Sequence, residues 1–185
     1  MTTTGEITRS LSGAALLFRG RDAGLAYLDR TVDGFWRSFA VIFLIIPIHI
    51  LTLYAVSRTS GGTPFGSAVR ESLPLLALDW VLFPACLAAA AKPLGVSRNY
   101  VTYVVARNWA APIAAAITLV PFMLQGAGWV PEEGGALLTL IALGIVLRFH
   151  YLIVRIGLQV TPALAIGLVG VDFMLSLVLV GLFRG

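Results

Sequence analysis

Five apolar stretches, each approaching the roughly 20 residues that cross a bilayer as a helix, dominate this chain. They fall at about 39–56, 72–91, 107–125, 135–153 and 162–183, and the third extends back to Tyr100 if it forms one long, tilted helix. Hydrocarbon offers no partner to a backbone N–H or C=O, so each stretch must satisfy its own peptide groups and is predicted to be helical. Five such helices use about 100 residues, which leaves little of a 185-residue chain for a globular domain. Charged residues make up 12%, against about a quarter in soluble domains, and the mean hydropathy is +0.92. The expected fold is all-α: a polytopic transmembrane bundle of five helices with an N-terminal amphipathic interfacial helix. Residues 1–38 are the N-terminal segment and 39–185 the transmembrane domain. A single cysteine, Cys86, excludes an internal disulfide and reads as packing. No internal repeat stands out.

The charge pattern speaks to topology. Thirteen bases face nine acids, but the bases are scattered through short loops and helix ends, without the basic-aromatic clustering of a nucleic-acid surface. They read as topology determinants and contacts to anionic membrane lipids. Ten fall on one side: Arg9, Arg19, Arg21, Arg30 and Arg37, then Lys92, Arg98 and Arg107, then Arg148 and Arg155. Three fall on the other: Arg58, Arg70 and Arg184. Basic loops stay in the cytoplasm, so the N-terminus is expected inside and the C-terminus outside. Residues 11–18 are apolar and follow Arg9, but Arg19, Arg21 and Asp22 come next without a small-residue cleavage site, so the segment is expected to be retained. Turns are expected at Gly61-Gly62-Thr63-Pro64 and at Lys92-Pro93-Leu94-Gly95, and an exposed loop at 126–133.

Before the first span, Leu25, Leu28, Val32, Phe35 and Phe39 recur on one helical face, with Trp36 at headgroup depth. The pattern predicts a helix over 22–38 lying on the cytoplasmic interface and bending into the first span near Gly34. Such a helix serves either as a plain anchor or as a sensor or docking element.

Ionisable residues inside a bilayer mark either helix-to-helix glue or a pathway. Asp172 and His49 each lie about 15 Å into their spans, Asp79 about 10–11 Å from the outer face, and Arg148 about 10 Å from the inner one. The spacing predicts that Asp172 faces the bundle interior and is neutralised by Arg148 or its neighbours. Arg155 lies one heptad on and offers a second, shallower cation, while His150 is expected to point elsewhere. Pro47, Pro84, Pro112 and Pro121 free the carbonyls of Phe43, Trp80, Asn108 and Ile117, which then want other donors or kink their spans. Ala163 and Gly167, with Gly170 on a neighbouring stripe, offer close helix approach. So do the alanines at 85–91 and 114–116.

No HExxH, CxxC, P-loop, GxGxxG or GxSxG occurs. Glu132-Glu133 lacks a companion arginine or metal-ligand set, and the two histidines lie in different spans. No enzyme, metal or cofactor is expected.

Two stretches carry a family resemblance. Tyr151-Leu152-Ile153-Val154-Arg155-Ile156-Gly157-Leu158-Gln159-Val160-Thr161-Pro162-Ala163-Leu164 resembles the junction between the last two spans of the Yip family of membrane proteins. Leu28-Asp29-Arg30-Thr31-Val32-Asp33-Gly34-Phe35-Trp36-Arg37-Ser38-Phe39 is similar to the start of span one in uncharacterised proteobacterial membrane proteins. The resemblance implies the five-span layout with the N-terminus inside. Eukaryotic members are associated with membrane traffic and small GTPases, a role that transfers no residue to this chain.

The expected function is that of a non-enzymatic integral protein of the bacterial inner membrane, acting as a scaffold or accessory subunit of a larger assembly. The alternative is a small oligomeric transporter or channel using the buried polar residues. Membrane lipids and a membrane-protein partner or second copy are the expected partners, and nucleic acid is not.

Overall fold

A computed structural model describes residues 4–59 and 64–184. The Gly61–Thr63 part of the expected turn lies outside the described residues, as does the side chain of Arg184. The described chain is all-α: α1 (Thr4–Phe18), α2 (Val32–Ser38), α3 (Ile42–Thr59), α4 (Phe65–Ala90), α5 (Tyr100–Gly126), α6 (Glu132–Leu158) and α7 (Pro162–Arg184). Short 3-10 turns occupy Asp22–Tyr27, Phe39–Val41 and Ser97–Asn99.

Five helical segments are long and apolar enough to cross a membrane: Val32–Arg58, Phe65–Ala90, Ser97–Gly126, Glu132–Leu158 and Pro162–Phe183. Most outrun their apolar cores, because a helix continues through the headgroup region where polar residues are tolerated. Arg70 and Glu71 thus lie within α4. Glu132 and Glu133, expected in a loop, form the first turn of α6, where the positive end of the helix dipole favours acids.

α5 is the axis of the bundle. Its first half is buried nearly all round, through Tyr103, Val104, Val105, Ala106, Asn108, Trp109 and Ala110. A helix covered on every side lies in the centre of its protein. α5 packs most extensively on α6 and α3, and also touches α1 and α2. Gly157 allows α6 its close approach, since a Cβ there would lie 3.1 Å from the Tyr103 Cα. Asn108 Nδ2 donates to Ser38 Oγ at 2.8 Å, which fastens α2 to α5 through two fully buried polar side chains.

The N-terminal segment departs from expectation. No continuous helix runs over 22–38. Residues 22–27 form a 3-10 turn, and the chain is extended at Leu28 before α2 starts at Val32. The apolar period was real, but two short polar side chains compete with the helix for its backbone groups. Asp29 Oδ1 accepts from the Thr31 N–H and Oγ, at 3.1 and 2.7 Å. Thr31 Oγ in turn accepts from Gly34 N at 3.0 Å and caps α2. These bonds hold the Asp29 carboxyl below its ordinary pKa, the Thr31 hydroxyl contributing most and its backbone N–H next, with Arg37 also favouring the charged form.

The predicted face is consequently divided. Leu25 and Leu28 are buried, Phe35 stacks edge-on with Phe39, and Val32 and Trp36 are two-thirds exposed. The amphipathic helix is instead α1, whose Ser10, Gly13, Ala14 and Leu17 form one buried stripe. A Cβ at Gly13 would lie 2.7 Å from both the Gly24 carbonyl oxygen and the Tyr27 Cβ, so only glycine permits this docking.

Candidate functional site: a charged layer inside the bundle

Asp172, on α7, is 8% exposed. Its partner is Arg107 of α5, whose Nη2 lies 3.3 Å from Asp172 Oδ1. His150 of α6 approaches from the other side, with Nδ1 3.9 Å from Oδ2. Along their helices Arg107, His150 and Asp172 lie about 10, 12 and 15 Å from the same end of the bundle, so they form one layer within the apolar spans.

This corrects the expected pairing. Arg148 does not reach Asp172; it is exposed, and its Nη1 donates to the Phe18 carbonyl at 3.1 Å, capping the C-terminus of α1. Two helical steps turn a side chain by about 200°, so Arg148 and His150 cannot share a face, and it is His150 that faces α7. Arg155 also lies away from the layer, donating from Nη1 to the Val160 carbonyl at 3.3 Å beside the α6–α7 turn.

Arg107 was counted as a loop residue from sequence and is an intramembrane hub. Nη1 lies 3.5 Å from the Trp80 carbonyl oxygen, the group that Pro84 leaves without its helical donor. Its guanidinium carbon sits 5.8 Å from the centre of the Phe83 ring. Two signals pointed to it: the freed Trp80 carbonyl, and the spacing of Tyr100, Tyr103 and Arg107 on one face if the third span starts at Tyr100. Pro84's own carbonyl accepts from the Tyr100 hydroxyl at 2.8 Å.

One turn along α7 from Asp172, Ser176 Oγ donates to Asp79 Oδ1 of α4 at 2.6 Å. Asp79 is half-buried, faces a cavity of about 190 Å³, and acts electrostatically on Arg107 and His150. The far side of that cavity is lined by His49 of α3 and Ser72 of α4, whose Nε2 and Oγ are 3.1 Å apart. His49 and Asp79 therefore border one cavity, whose remaining wall is largely leucine and valine, while Arg148 is on the surface and Arg155 is half-buried at the α6–α7 turn. Trp80 Nε1 and Arg107 Nε are buried without a hydrogen-bond partner among the described residues. No group of three potential metal ligands occurs among the described residues. Cys86 is exposed on the outside of α4 rather than packed.

The arrangement holds one carboxylate against a guanidinium and an imidazole in a low-dielectric layer, with a second carboxylate, Asp79, beside it and His49 across the cavity. No family model, curated protein or solved structure matches the chain.

Proposed function

We propose that the chain is a non-enzymatic protein of a bacterial inner membrane, N-terminus in the cytoplasm and C-terminus outside, that works as a small proton-linked transporter or channel. It acts as an oligomer, because five helices are few to enclose a pathway. One observation carries the reading: Asp172 is paired with Arg107, while Asp79, bonded to Ser176 of the same helix as Asp172, brings a second carboxylate that opens onto a cavity. Unbalanced charge at this depth is costly. The layer is neutral when one proton resides on Asp79, Asp172 or His150, and that proton is the exchangeable element. Arg107 fixes Asp172 in place. Asp79, held by the neutral Ser176 hydroxyl, is the group free to exchange through the cavity, with His49 and Ser72 at its far wall.

The test is reconstitution into liposomes loaded with a pH-sensitive dye, with a potassium diffusion potential as the driving force. Native protein should carry protons well above empty vesicles. Asp79→Asn, which keeps an oxygen for Ser176, should lower that flux at least tenfold with unchanged abundance and thermal midpoint. Flux equal in native protein and variant, or no flux above empty vesicles, overturns the reading.

A second reading, the scaffold or accessory subunit, is favoured by a different feature. Ala163, Gly167 and Gly170 of α7 are exposed, and a Cβ at either glycine would meet nothing within 4 Å. This close-packing face is unused among the described residues. Native mass spectrometry from mild detergent separates the readings: a foreign subunit at fixed stoichiometry supports the scaffold, and a homo-oligomer supports the transporter. The layout-level likeness to Yip-type proteins fits either and adds no residue to them.

A further inference from the structure

The three-residue turn between α6 and α7 borders a second pocket, of about 600 Å³, closed on its other side by the Asp22–Tyr27 turn. We propose that this pocket binds the headgroup of one anionic glycerophospholipid, with its phosphodiester held between Arg30 and Arg155. Three observations converge on that ligand.

The first is depth. The spans Glu132–Leu158 and Pro162–Phe183 end and begin at this turn, so the pocket lies where a bilayer carries its phosphates. The second is charge. The lining holds two arginines and one acid, Asp22, a net excess of one positive charge suited to a singly charged diester. Arg30 is exposed and has no side-chain partner among the described residues. Arg155 engages one nitrogen with the Val160 carbonyl, and the rest of its donor fork remains for a phosphate.

The third is the mixed lining. Leu25, Ile156 and Val160 stand beside the arginines, giving the glycerol and upper acyl carbons an apolar wall, and Asp22 accepts from a headgroup hydroxyl. The neighbouring groove, of about 790 Å³, differs in kind. Its Arg37 is paired with Glu6 and Asp29, and its Arg9 donates to the Tyr27 carbonyl at 2.9 Å. Those cations are committed within the chain, and Arg30, which borders both spaces, is not.

The experiment uses delipidated full-length protein in a neutral maltoside detergent, with bound lipid counted by native mass spectrometry. The probes are short-chain phosphatidylglycerol, phosphatidylcholine and inorganic phosphate. One phosphatidylglycerol should bind per chain, at least tenfold more tightly than phosphatidylcholine, and millimolar phosphate should not displace it. Each arginine near the surface is worth about fivefold. Arg30→Gln, which breaks no side-chain hydrogen bond or ion pair among the described residues, should weaken binding about fivefold, and Arg30→Gln with Arg155→Gln about 25-fold. Lys92→Gln with Arg98→Gln removes equal charge from the same end of the bundle but outside the pocket, and should leave the affinity within twofold. Equal losses from the two double variants would mean diffuse attraction and overturn the proposal. So would displacement by phosphate alone, or an unchanged affinity in Arg30→Gln.

Discussion

Arg107→Met tests whether the charged layer holds the bundle together. Methionine keeps most of the apolar stem and removes the guanidinium. At 3.3 Å and an effective dielectric near 20, the direct attraction between Arg107 and Asp172 is about 5 kcal/mol. Contact with the Phe83 ring adds about 0.5–2 kcal/mol, and desolvation of the two ions offsets much of the sum. The truncation cost is larger than the net value of the pair, because among the described residues Asp172 then keeps only His150, at 3.9 Å, and Trp80 loses the donor to its freed carbonyl. Breaking a buried pair from one side costs about 3–5 kcal/mol. A chain unfolded within a bilayer or micelle still finds polar partners, which places the expected loss near the lower bound, at about 3 kcal/mol. The double variant Arg107→Met, Asp172→Leu removes both charges and should recover to within about 1 kcal/mol of native. Equilibrium unfolding in mixed micelles of maltoside and dodecyl sulfate, followed by tryptophan fluorescence, measures all four corners of this cycle. A loss below 1 kcal/mol in Arg107→Met, or a double variant as unstable as the two single losses added together, would refute the idea that the pair is coupled.

Three further outcomes follow from the geometry. Gly13→Ala drives a methyl into the Gly24 carbonyl and Tyr27, at 2.7 Å each; α1 should undock, seen as a loss of amide-exchange protection over 10–17 with the protection of α5 retained. The lowered pKa of Asp29 means that its stabilising effect is complete above its unfolded value, near 3.9, and is lost as pH falls through the lower native value. Exchange across 28–34 should therefore rise only under those acidic conditions, and the acid-dependent step should vanish in Asp29→Asn. Gln159 closes α6 at φ 57°, where a side chain costs about 1 kcal/mol, so Gln159→Gly should raise the midpoint of micelle unfolding by up to that amount.

How much of this was legible in the chain depends on what each feature needs. The spans need only length and apolarity, which is why all five lie in the sequence at nearly their observed positions. The proline argument also survived, because a missing donor is a property of one residue: Pro84 implied a needy Trp80 carbonyl, and Arg107 meets it. What failed depended on where a helix starts. Val101, Val104 and Val105 are interrupted by Thr102, Tyr103, Arg107 and Asn108, and a hydropathy window reads that mixture as a loop. In a helix surrounded by protein rather than lipid, the same residues form a core. The segment before span one failed for the opposite reason. Its apolar period was regular, but Asp29 and Thr31 offered the backbone a closer set of bonds than a helix would.

That contrast also bears on what the charged layer is for. If the charged groups served packing alone, Arg107, Asp172 and the Trp80 carbonyl would already join α4, α5 and α7. Asp79 would then be an unexplained second carboxylate. Its hydrogen bond from Ser176 is neutral, it borders open space, and its wall is shared with His49 and Ser72. A leucine at that position would occupy part of the cavity and remove the imbalance of charge, giving a helix pair at least as stable. Asp79→Leu should accordingly preserve or raise the stability of the bundle while removing proton flux, whereas Asp172→Leu should lower both. Opposite responses of these two acids, on neighbouring helices, would divide the layer into a fixed half and an exchanging half. Parallel losses of stability in both variants would show instead that the whole layer is structural.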